Sequence, residues 1–311
     1  MPSLNHSQVR QFVAVAEHRN FGRAAEALGL SQQAVSKNVA LLEGSLRARL
    51  LERGRFGAIP TVYGEALLRR AKSAEAELRL GLEEIEALRG ASVGSVRVGV
   101  GPAFASRVLP AAMVRMHHEQ PAVQIATCVE TSAVLYPMLL RGELDFVVSA
   151  PPLDLAIDSD ISQELLFLDR ECLVVRAKHP LARRRQVGLT DLKACTWIVS
   201  SQIPSVFARI CRELAKAALS PPTRVLRTDA TELGRTLLLN TDSVALIGRE
   251  SIQQDLAARR LVELRVAGLG EAHGAFAATR PRSALQPAAS RLLDHVRAVC
   301  RELFRDRGNS G

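Results

Sequence analysis

Residues 20–43 read NFGRAAEALGLSQQAVSKNVALLE, and this stretch predicts two short helices joined by a tight turn. Ala24 and Leu28 recur at helical spacing in the first helix. Gly29 suits the left-handed position just past that helix, and Ser31 can cap the second one. Two short helices around a glycine turn, the second beginning with polar side chains, indicate a helix-turn-helix. For this segment alone, an ordinary helical hairpin with a solvated polar face is the alternative.

The second helix has a polar face that suits base recognition. Amide side chains can pair with adenine edges, and a lysine can reach guanine or a phosphate. The candidate DNA-binding residues of this segment are Ser31, Gln32, Gln33, Ser36, Lys37 and Asn38. Its apolar positions, among them Val35, Val39 and Leu42, are expected to be buried.

A two-stranded wing is predicted downstream, because Gly54 and Gly57 mark a turn between two short apolar runs. Arg53 and Arg55 lie at this turn and suit contacts to phosphates or to the minor groove. Residues 20–72 hold nine Lys and Arg against four Asp and Glu, a net charge of +5. The positive charge therefore lies where the motif lies, as expected for nucleic-acid binding.

Five short motifs follow one another through this region. They are Phe21-x-x-Ala-Ala-x-x-Leu28, Leu30-Ser-Gln-x-Ala-Val-Ser36, Leu41-x-Glu43, Leu50-Leu-x-Arg53 and Pro60-Thr-x-x-Gly64. In order and spacing they resemble the N-terminal module of LysR-type transcriptional regulators. The resemblance implies a sequence-specific regulator that binds double-stranded promoter DNA as a dimer or tetramer, with RNA polymerase as a further candidate partner.

One position departs from the family pattern. That family usually has a proline after the glutamine of the recognition helix, whereas this chain has Gln33. Proline in a first helical turn only pre-organises the helix. We therefore expect Gln33 to alter site preference and to leave DNA binding itself intact.

After Thr61 the sequence is helical to about Arg89 and contains a heptad seam. The seam consists of Leu67, Ala71, Ala74, Leu78, Gly81, Ile85 and Leu88. Apolar residues at alternating spacings of four and three predict a two-helix coiled coil, and thus a dimer. A single amphipathic helix lying on its own domain is the alternative.

The remaining two thirds of the chain alternate strand-type and helix-type segments, which predicts an α/β fold with mostly parallel sheets. Weaker motifs here are Gly142-Glu-Leu-Asp145, His179-Pro180, Thr190-Asp-Leu192 and Thr196-Trp-Ile198. They resemble the LysR-type effector domain, which is similar in fold to periplasmic binding proteins. The resemblance implies two subdomains, with the chain crossing near Leu165–Leu168 and returning near Ala267–Ala275.

The expected fold is therefore α+β overall. Its parts are a winged helix-turn-helix over 1–60, a linker and dimerisation helix over 61–90, and an effector domain over 91–311. Within the effector domain, subdomain I covers about 91–165 and 270–311, and subdomain II covers about 166–269.

Ligands of such sheets bind beyond the carboxyl ends of the strands. The candidate effector-binding residues in strand-end loops are Gly101, Pro102, Ala103, Phe104, Thr131, Ser132, Ser200, Ser201 and Gln202. Hydroxyl and N–H groups at helix starts suit a carboxylate, although Ser200–Gln202 can equally serve as a helix cap. Phe104 can stack on an aromatic or sugar ring or pack in the core. The predicted inducer is thus a small organic acid, an aromatic compound or a sugar-like compound.

Composition sets consistent limits. The net charge of +9 and the pI near 9.9 favour a polyanionic partner. The sequence has neither a transmembrane run nor the apolar core of a signal peptide, so we expect a cytoplasmic protein without a membrane partner. No catalytic triad, acidic dyad or phosphate-binding glycine loop stands out. We therefore expect no enzyme, no cofactor and no metal.

Histidines and cysteines are the residue types here that could bind a metal or sense redox state. His117 and His118 are sequence neighbours, roughly 100° apart on a helix, so they form a poor chelate. The odd number of scattered cysteines suits free thiols; they are Cys128, Cys172, Cys195, Cys211 and Cys300. A redox-responsive regulator that uses Cys195 and Cys211 remains an alternative, as does an architectural DNA-binding protein without a ligand.

Overall fold

A computed structural model describes most of the chain. The described residues are 5–54, 57–88, 94–152, 160–281 and 285–304. Two compact units are present, one of Met1–Ser92 with Leu140–Glu143 and one of Val93–Leu139 with Leu144–Gly311. None of the helices in the described part combines the length and apolar character needed to span a lipid bilayer.

The first unit is a helical module with a small hairpin. Its elements are α1 (His6–His18), α2 (Phe21–Leu28), α3 (Gln32–Leu46), β1 (Leu51–Gly54), β2 (Gly57–Pro60) and α4 (Val62–Leu88). The strands β1 and β2 pair antiparallel, as the predicted wing requires. Val35, Val39 and Leu42 of α3 are buried against α1 and α2, which confirms the predicted apolar face.

Local side chains define the helix-turn-helix. The Oδ1 atom of Asn20 accepts hydrogen bonds from the backbone N–H groups of Gly22 and Arg23 at 2.8 and 3.0 Å, so α2 begins at Phe21. Gly29 has a φ of +65° and ends α2, as predicted. Ser31 caps α3 by accepting a hydrogen bond from the N–H of Ala34 at 3.2 Å.

The second unit alternates strands and helices. Its strands are β3 (Ser95–Val100), β4 (Gln124–Val129), β5 (Phe146–Ser149), β6 (Ser162–Arg176), β7 (Thr196–Val199), β8 (Val225–Arg227), β9 (Ser243–Gly248), β10 (Leu261–Leu264) and β11 (Ala272–Thr279). Its helices are α5 (Val108–Glu119), α6 (Ser132–Leu140), α7 (Pro204–Lys216), α8 (Thr231–Asn240), α9 (Gln253–Ala257) and α10 (Pro287–Phe304). Short 3-10 turns include Pro102–Phe104 and Arg249–Ile252.

The strands run in the order β4-β3-β5-β11-β6-β9-β7-β8, with β10 also paired to β6. β3 lies parallel to β4 and β5, and β7 lies parallel to β8 and β9. Each half thus contains a parallel set, and the antiparallel strands β6 and β11 join the two halves.

The crossing between the halves lies slightly later than predicted. β6 pairs with β11 through Arg170 and with β9 from Glu171 onward, so the chain passes between the sheets at 170–171 and not at Leu165–Leu168. One uninterrupted strand serves both sheets, and such a strand has no sequence break to mark its crossing point. The chain returns from β10 to β11 through 265–271, whereas the sequence placed the return near Ala267–Ala275.

Each half has its own apolar core. One forms around Val98, Phe146 and Leu292, and the other forms around Trp197 and Val244. The strand-end loops lie outside both cores, which is where ligands of such sheets bind.

Candidate DNA-binding surface and effector cleft

The first turns of α3 present a polar face to solvent. Gln32, Gln33 and Lys37 are exposed, and Ser36 is half-buried beside them. The spacings 32/36 and 33/37 are each one helical turn, so these side chains form one surface patch. The buried face beneath them holds the patch in place, and four of the six predicted helix residues therefore lie together.

The other two predicted residues of α3 have structural partners. Asn38 donates from Nδ2 to Oε1 of Gln11 at 3.0 Å, and Gln11 in turn donates to Ser7 at 3.2 Å. Gln11 is buried, so Asn38 satisfies a core amide on α1 and turns away from the patch. The hydroxyl of Ser31 is the helix cap described above.

The wing is tied to the rest of the module by polar contacts. Oε1 of Glu43 accepts hydrogen bonds from the N–H groups of Leu50 and Leu51 at 2.7 and 3.1 Å, which fixes the start of β1 against α3. The N–H of Ala58 donates to the carbonyl of Arg19 at 2.9 Å. The side chain of Arg53 and all of Arg55 lie outside the described residues, so their predicted phosphate contacts stay predictions.

Gly57 is required by this anchoring, and we expect Gly57→Ala to destabilise the module. Gly57 has a φ of +95°, and a Cβ there would lie 2.2 Å from the carbonyl oxygen of Arg19. The cost should be about 1–3 kcal/mol, measured by thermal denaturation, together with weaker DNA binding. Gly54→Ala is the matched control, because a Cβ at Gly54 meets nothing within 4 Å. Equal melting temperatures for the two variants would contradict this anchoring.

The predicted seam of α4 divides into two parts. Leu67 and Ala71 pack into the core of their own module, so these two residues are not on an open seam. Ala74 is exposed and Gly81 is half-buried, whereas Leu88 has no described side chain. Leu78, Leu82 and Ile85 are 59%, 63% and 53% exposed.

These three residues form an unpartnered apolar stripe on the described part of α4. Their spacing of four and then three places them on one face of the helix. Leu82 was missed because it lies outside the strict heptad.

The cleft lies where the strand ends of the two halves meet. The turns Pro102–Phe104, after β3, and Arg249–Ile252, after β9, contact each other. A Cβ at Gly248 would stand 3.5 Å from Cβ of Ala103, which shows how closely the halves approach. An ion pair between Nη1 of Arg107 and Oε2 of Glu250, at 2.9 Å, also joins the halves.

The predicted cleft residues of subdomain I differ in how far they are buried. Pro102, Ala103, Thr131 and Ser132 are half-buried in the strand-end loops, and Gly101 is buried beside Ser149.

Phe104 does not line the cleft. Its ring is buried and packs edge-to-face on Phe167 at 5.6 Å, and Phe167 stacks on Phe304 at 3.8 Å between centroids. The core takes this side chain because an aromatic ring gains most where it is removed from water.

The loop Ser200–Gln202 already holds a carboxylate. Oδ1 of Asp229 accepts hydrogen bonds from the hydroxyl of Ser200 at 2.6 Å, the N–H of Ser201 at 2.8 Å and the N–H of Gln202 at 3.1 Å. These donors hold the pKa of Asp229 below its usual range. The sequence therefore identified the hydrogen-bond donors that suit an anion. It did not reveal that the carboxylate of Asp229 already occupies them.

The crossing between the two halves is rich in acids. Asp169 pairs in register with His273, and its carboxylate is buried. Burial raises the pKa of Asp169, and the nearby carboxylate of Glu250 acts in the same direction. Arg209, from α7, forms ion pairs with Glu171 and, at 2.9 Å, with Glu271. None of these acids was predicted.

A cavity of about 300 Å³ lies beside the crossing. Its lining consists of residues 170–173, 263–267 and 269. It contains no predicted effector-binding residue, and its walls include the paired charges of Arg170 and Glu263. The candidate site therefore rests on the strand-end geometry and not on this cavity.

All five cysteines are free thiols. Burial raises the pKa values of Cys172 and Cys300 to about 12, and it also raises that of Cys195, where Asp191 and Asp242 add to the effect. Within the described ranges, no group of three or more His, Cys, Asp or Glu residues is placed to hold a metal ion.

A winged helix-turn-helix in one unit and a two-part α/β fold in the other define the class of a DNA-binding regulator with a ligand-binding domain. Residues 6–65 match the family described as "Bacterial regulatory helix-turn-helix protein, lysR family". Residues 89–301 match "LysR substrate binding domain". The chain belongs to the LysR family of bacterial transcriptional regulators, as the sequence motifs predicted.

One relative supports this assignment by sequence, and two solved structures share the fold. The regulator GbpR of Rhizobium radiobacter is 32% identical over 249 residues, which is 78% of this chain and 81% of the relative. ArgP of Mycobacterium tuberculosis superimposes with a TM-score of 0.70 at 18% identity, covering 96% of this chain and 98% of that one. CbnR in complex with its target DNA gives a TM-score of 0.59 at 23% identity, with coverages of 95% and 100%.

Proposed function

We propose that this regulator recognises promoter DNA through the exposed start of α3. Gln32, Gln33, Ser36 and Lys37 supply the base and phosphate contacts, and Arg53 and Arg55 of the wing hold the backbone. The observation that carries this proposal is the polar patch on α3, which lies directly above a buried apolar face. Within a bacterial cell, this function places the protein in the cytoplasm, where the DNA is.

Two copies are proposed to pair through α4. The stripe of Leu78, Leu82 and Ile85 supports this, because three exposed apolar side chains on one helix face need a partner to leave water. Pairing brings two recognition helices to a two-fold-symmetric site, which one helix alone reads too weakly. Further association of dimers into a tetramer is part of the proposal.

The strand-end cleft is proposed to hold the small-molecule effector. Half-buried Ala103, Thr131 and Ser132 line one wall, and Ser200–Gln202 with Asp229 line the other. Because the cleft lies between two halves joined by β6 and β11, a ligand there can change how the halves close. This role requires binding and no bond-breaking, so we propose no enzymatic activity.

A thermal-shift screen of small organic compounds, followed by footprinting, tests this function. A ligand that binds only the native protein raises its melting temperature. We expect compounds that do so to change the protected pattern on promoter DNA. Stabilising compounds that all leave the pattern unchanged would contradict the cleft as an effector site.

Redox sensing through Cys195 and Cys211 has less support. A sensing thiol needs a lowered pKa, and the pKa of Cys195 is raised by burial and by two nearby carboxylates. We expect Cys195→Ser with Cys211→Ser to retain wild-type DNA binding under both oxidising and reducing conditions.

A further inference from the structure

We propose that the effector carries a positive charge and that Asp229 sets this preference. The proposal rests on the proposed function of the cleft as the effector site. It changes the expected ligand class, because the hydroxyl and N–H groups of the cleft had suggested an organic acid.

The first observation is that the anion-binding loop is filled from within. Three donors, from Ser200, Ser201 and Gln202, converge on Oδ1 of Asp229. An external carboxylate would find these donors in use and would meet a negative charge. No described hydrogen bond goes to the second oxygen, Oδ2, so that oxygen can accept a charge-assisted bond from a cationic ligand group.

The second observation is a buried carboxylate without an ion pair of hydrogen-bond length at the crossing. Asp169 is 2% exposed, and among the described residues its oxygens have no hydrogen-bond partner at good distance and angle. The backbone N–H groups of Arg170 and Glu250 come near enough to lower its pKa, against the larger effect of burial. Nε2 of His273 is 3.7 Å from Oδ2, which is too long for a hydrogen bond. A Cβ at Gly248 would stand 3.0 Å from the same oxygen, so this carboxylate points to where the halves meet.

Burying an unpaired carboxylate is costly, and a cation in the cleft would relieve that cost.

The charge balance points the same way. The arginines of this region already have partners. Arg107 pairs with Glu250, Arg209 pairs with Glu171 and Glu271, and both Arg170 and Arg249 pair with Glu263. The guanidinium of Arg227 lies 4.8 Å from the centre of the Phe207 ring. The acids that remain are Asp229 and Asp169. Asp229 has no ion pair within the described part of the chain, and Asp169 has the imidazole of His273 at 3.7 Å and the backbone N–H groups of Arg170 and Glu250 nearby. Opposite charges attract strongly where water is excluded, so the cleft favours a cation over an anion.

Benzoate, benzamide and benzamidine test this preference, because they share one ring and differ in charge. For the wild type, we expect the melting-temperature shift to rank benzamidine above benzamide and benzamide above benzoate. In terms of affinity, a charge-assisted contact gives benzamidine an advantage of about tenfold over benzoate. Asp229→Asn keeps the acceptor oxygen and removes the charge, so benzamidine should lose most of that advantage.

Asp229→Ala tests the filled loop directly. This variant leaves three donors without an acceptor. Acetate at roughly 50–100 mM saturates an anion site whose Kd is of the order of millimolar. We therefore expect acetate to raise the melting temperature of the variant and to leave that of the wild type unchanged. Asp191→Ala is the matched control. Asp191 also accepts a backbone N–H, from Gly188 at 2.9 Å, but it lies in the turn Leu189–Leu192, away from the strand ends.

The outcomes are decisive. Acetate stabilisation confined to Asp229→Ala, together with stronger benzamidine stabilisation of the wild type than of Asp229→Asn, supports the proposal. It is overturned if acetate stabilises the wild type equally or stabilises neither protein, or if benzamidine fails to distinguish wild type from Asp229→Asn. Should Asp229→Ala not fold, the benzamidine comparison between the wild type and Asp229→Asn decides alone. The proposed function is tested separately. It is contradicted if ligands that stabilise the protein leave its footprint on promoter DNA unchanged.

Discussion

Replacing Gln33 and Lys37 together with alanine should reduce affinity for a specific DNA site by at least about 1,000-fold. A well-placed base contact contributes about 1–3 kcal/mol, and a dimer loses each contact twice. Both side chains are exposed on α3, so the free energy of unfolding should change by less than about 0.5 kcal/mol. The measurement is a band-shift titration at fixed salt, because phosphate contacts make every such affinity salt-dependent.

Arg10→Ala is the control for this variant. Arg10 is an exposed cation of the same module, on α1 and outside the α3 patch. We expect its affinity to stay within about threefold of wild type, as for a distant surface charge. If Arg10→Ala weakened binding as much as the double variant, general electrostatics and not α3 would control recognition.

Replacing Leu78 and Leu82 together with aspartate should convert the dimer to a monomer and lower DNA affinity by at least about 100-fold. Each leucine buried in an interface contributes about 1.5–3 kcal/mol, and the new carboxylates would face their own copies across the two-fold axis. In a dimer, binding of one copy to its half-site raises the effective concentration of the second copy at the other half-site. A monomer lacks this advantage, so its affinity for the specific site is lower.

Light scattering coupled to size exclusion measures the mass, and a band shift measures the DNA affinity. Ala66→Asp is the control, since it places the same charge at an exposed position of α4 outside the stripe. A dimeric mass for the double aspartate variant would show that the pairing surface lies elsewhere.

The helix-turn-helix was predictable because its determinants are local. Gly29 and Ser31 act on backbone groups within four residues, so the sequence places the turn correctly. The wing also follows from local signals, although the contact from Glu43 to the start of β1 spans seven residues. The alternation of strands and helices likewise predicted an α/β fold, and the family resemblance implied its division into two halves.

Long-range contacts account for what the sequence did not reveal. Asn38 turns toward Gln11, 27 residues away, and Phe104 joins a ring stack that includes Phe304. Asp229 reaches Ser201 across 28 residues. A polar or aromatic residue in a promising loop cannot be assigned to ligand or core until its distant neighbours are known.

One sequence signal for Asp229 was available. It follows the end of β8, and strand-end loops were the rule used to select the other cleft residues. Asp169 offered a similar clue, as an acid within the apolar strand β6. Both clues are acidic side chains, which favour a cationic ligand. The hydroxyl and N–H groups of the strand-end loops had instead suggested an organic acid.

Selection of bound duplexes from a random pool, followed by sequencing, tests the central claim most directly. The account predicts an enriched inverted repeat for the wild type, with half-sites about one helical turn apart or a multiple of that distance. It also predicts that Gln33→Ala with Lys37→Ala loses this enrichment while retaining weak non-specific binding. Enrichment of the same sequence by both proteins, or of none by the wild type, would contradict recognition through α3.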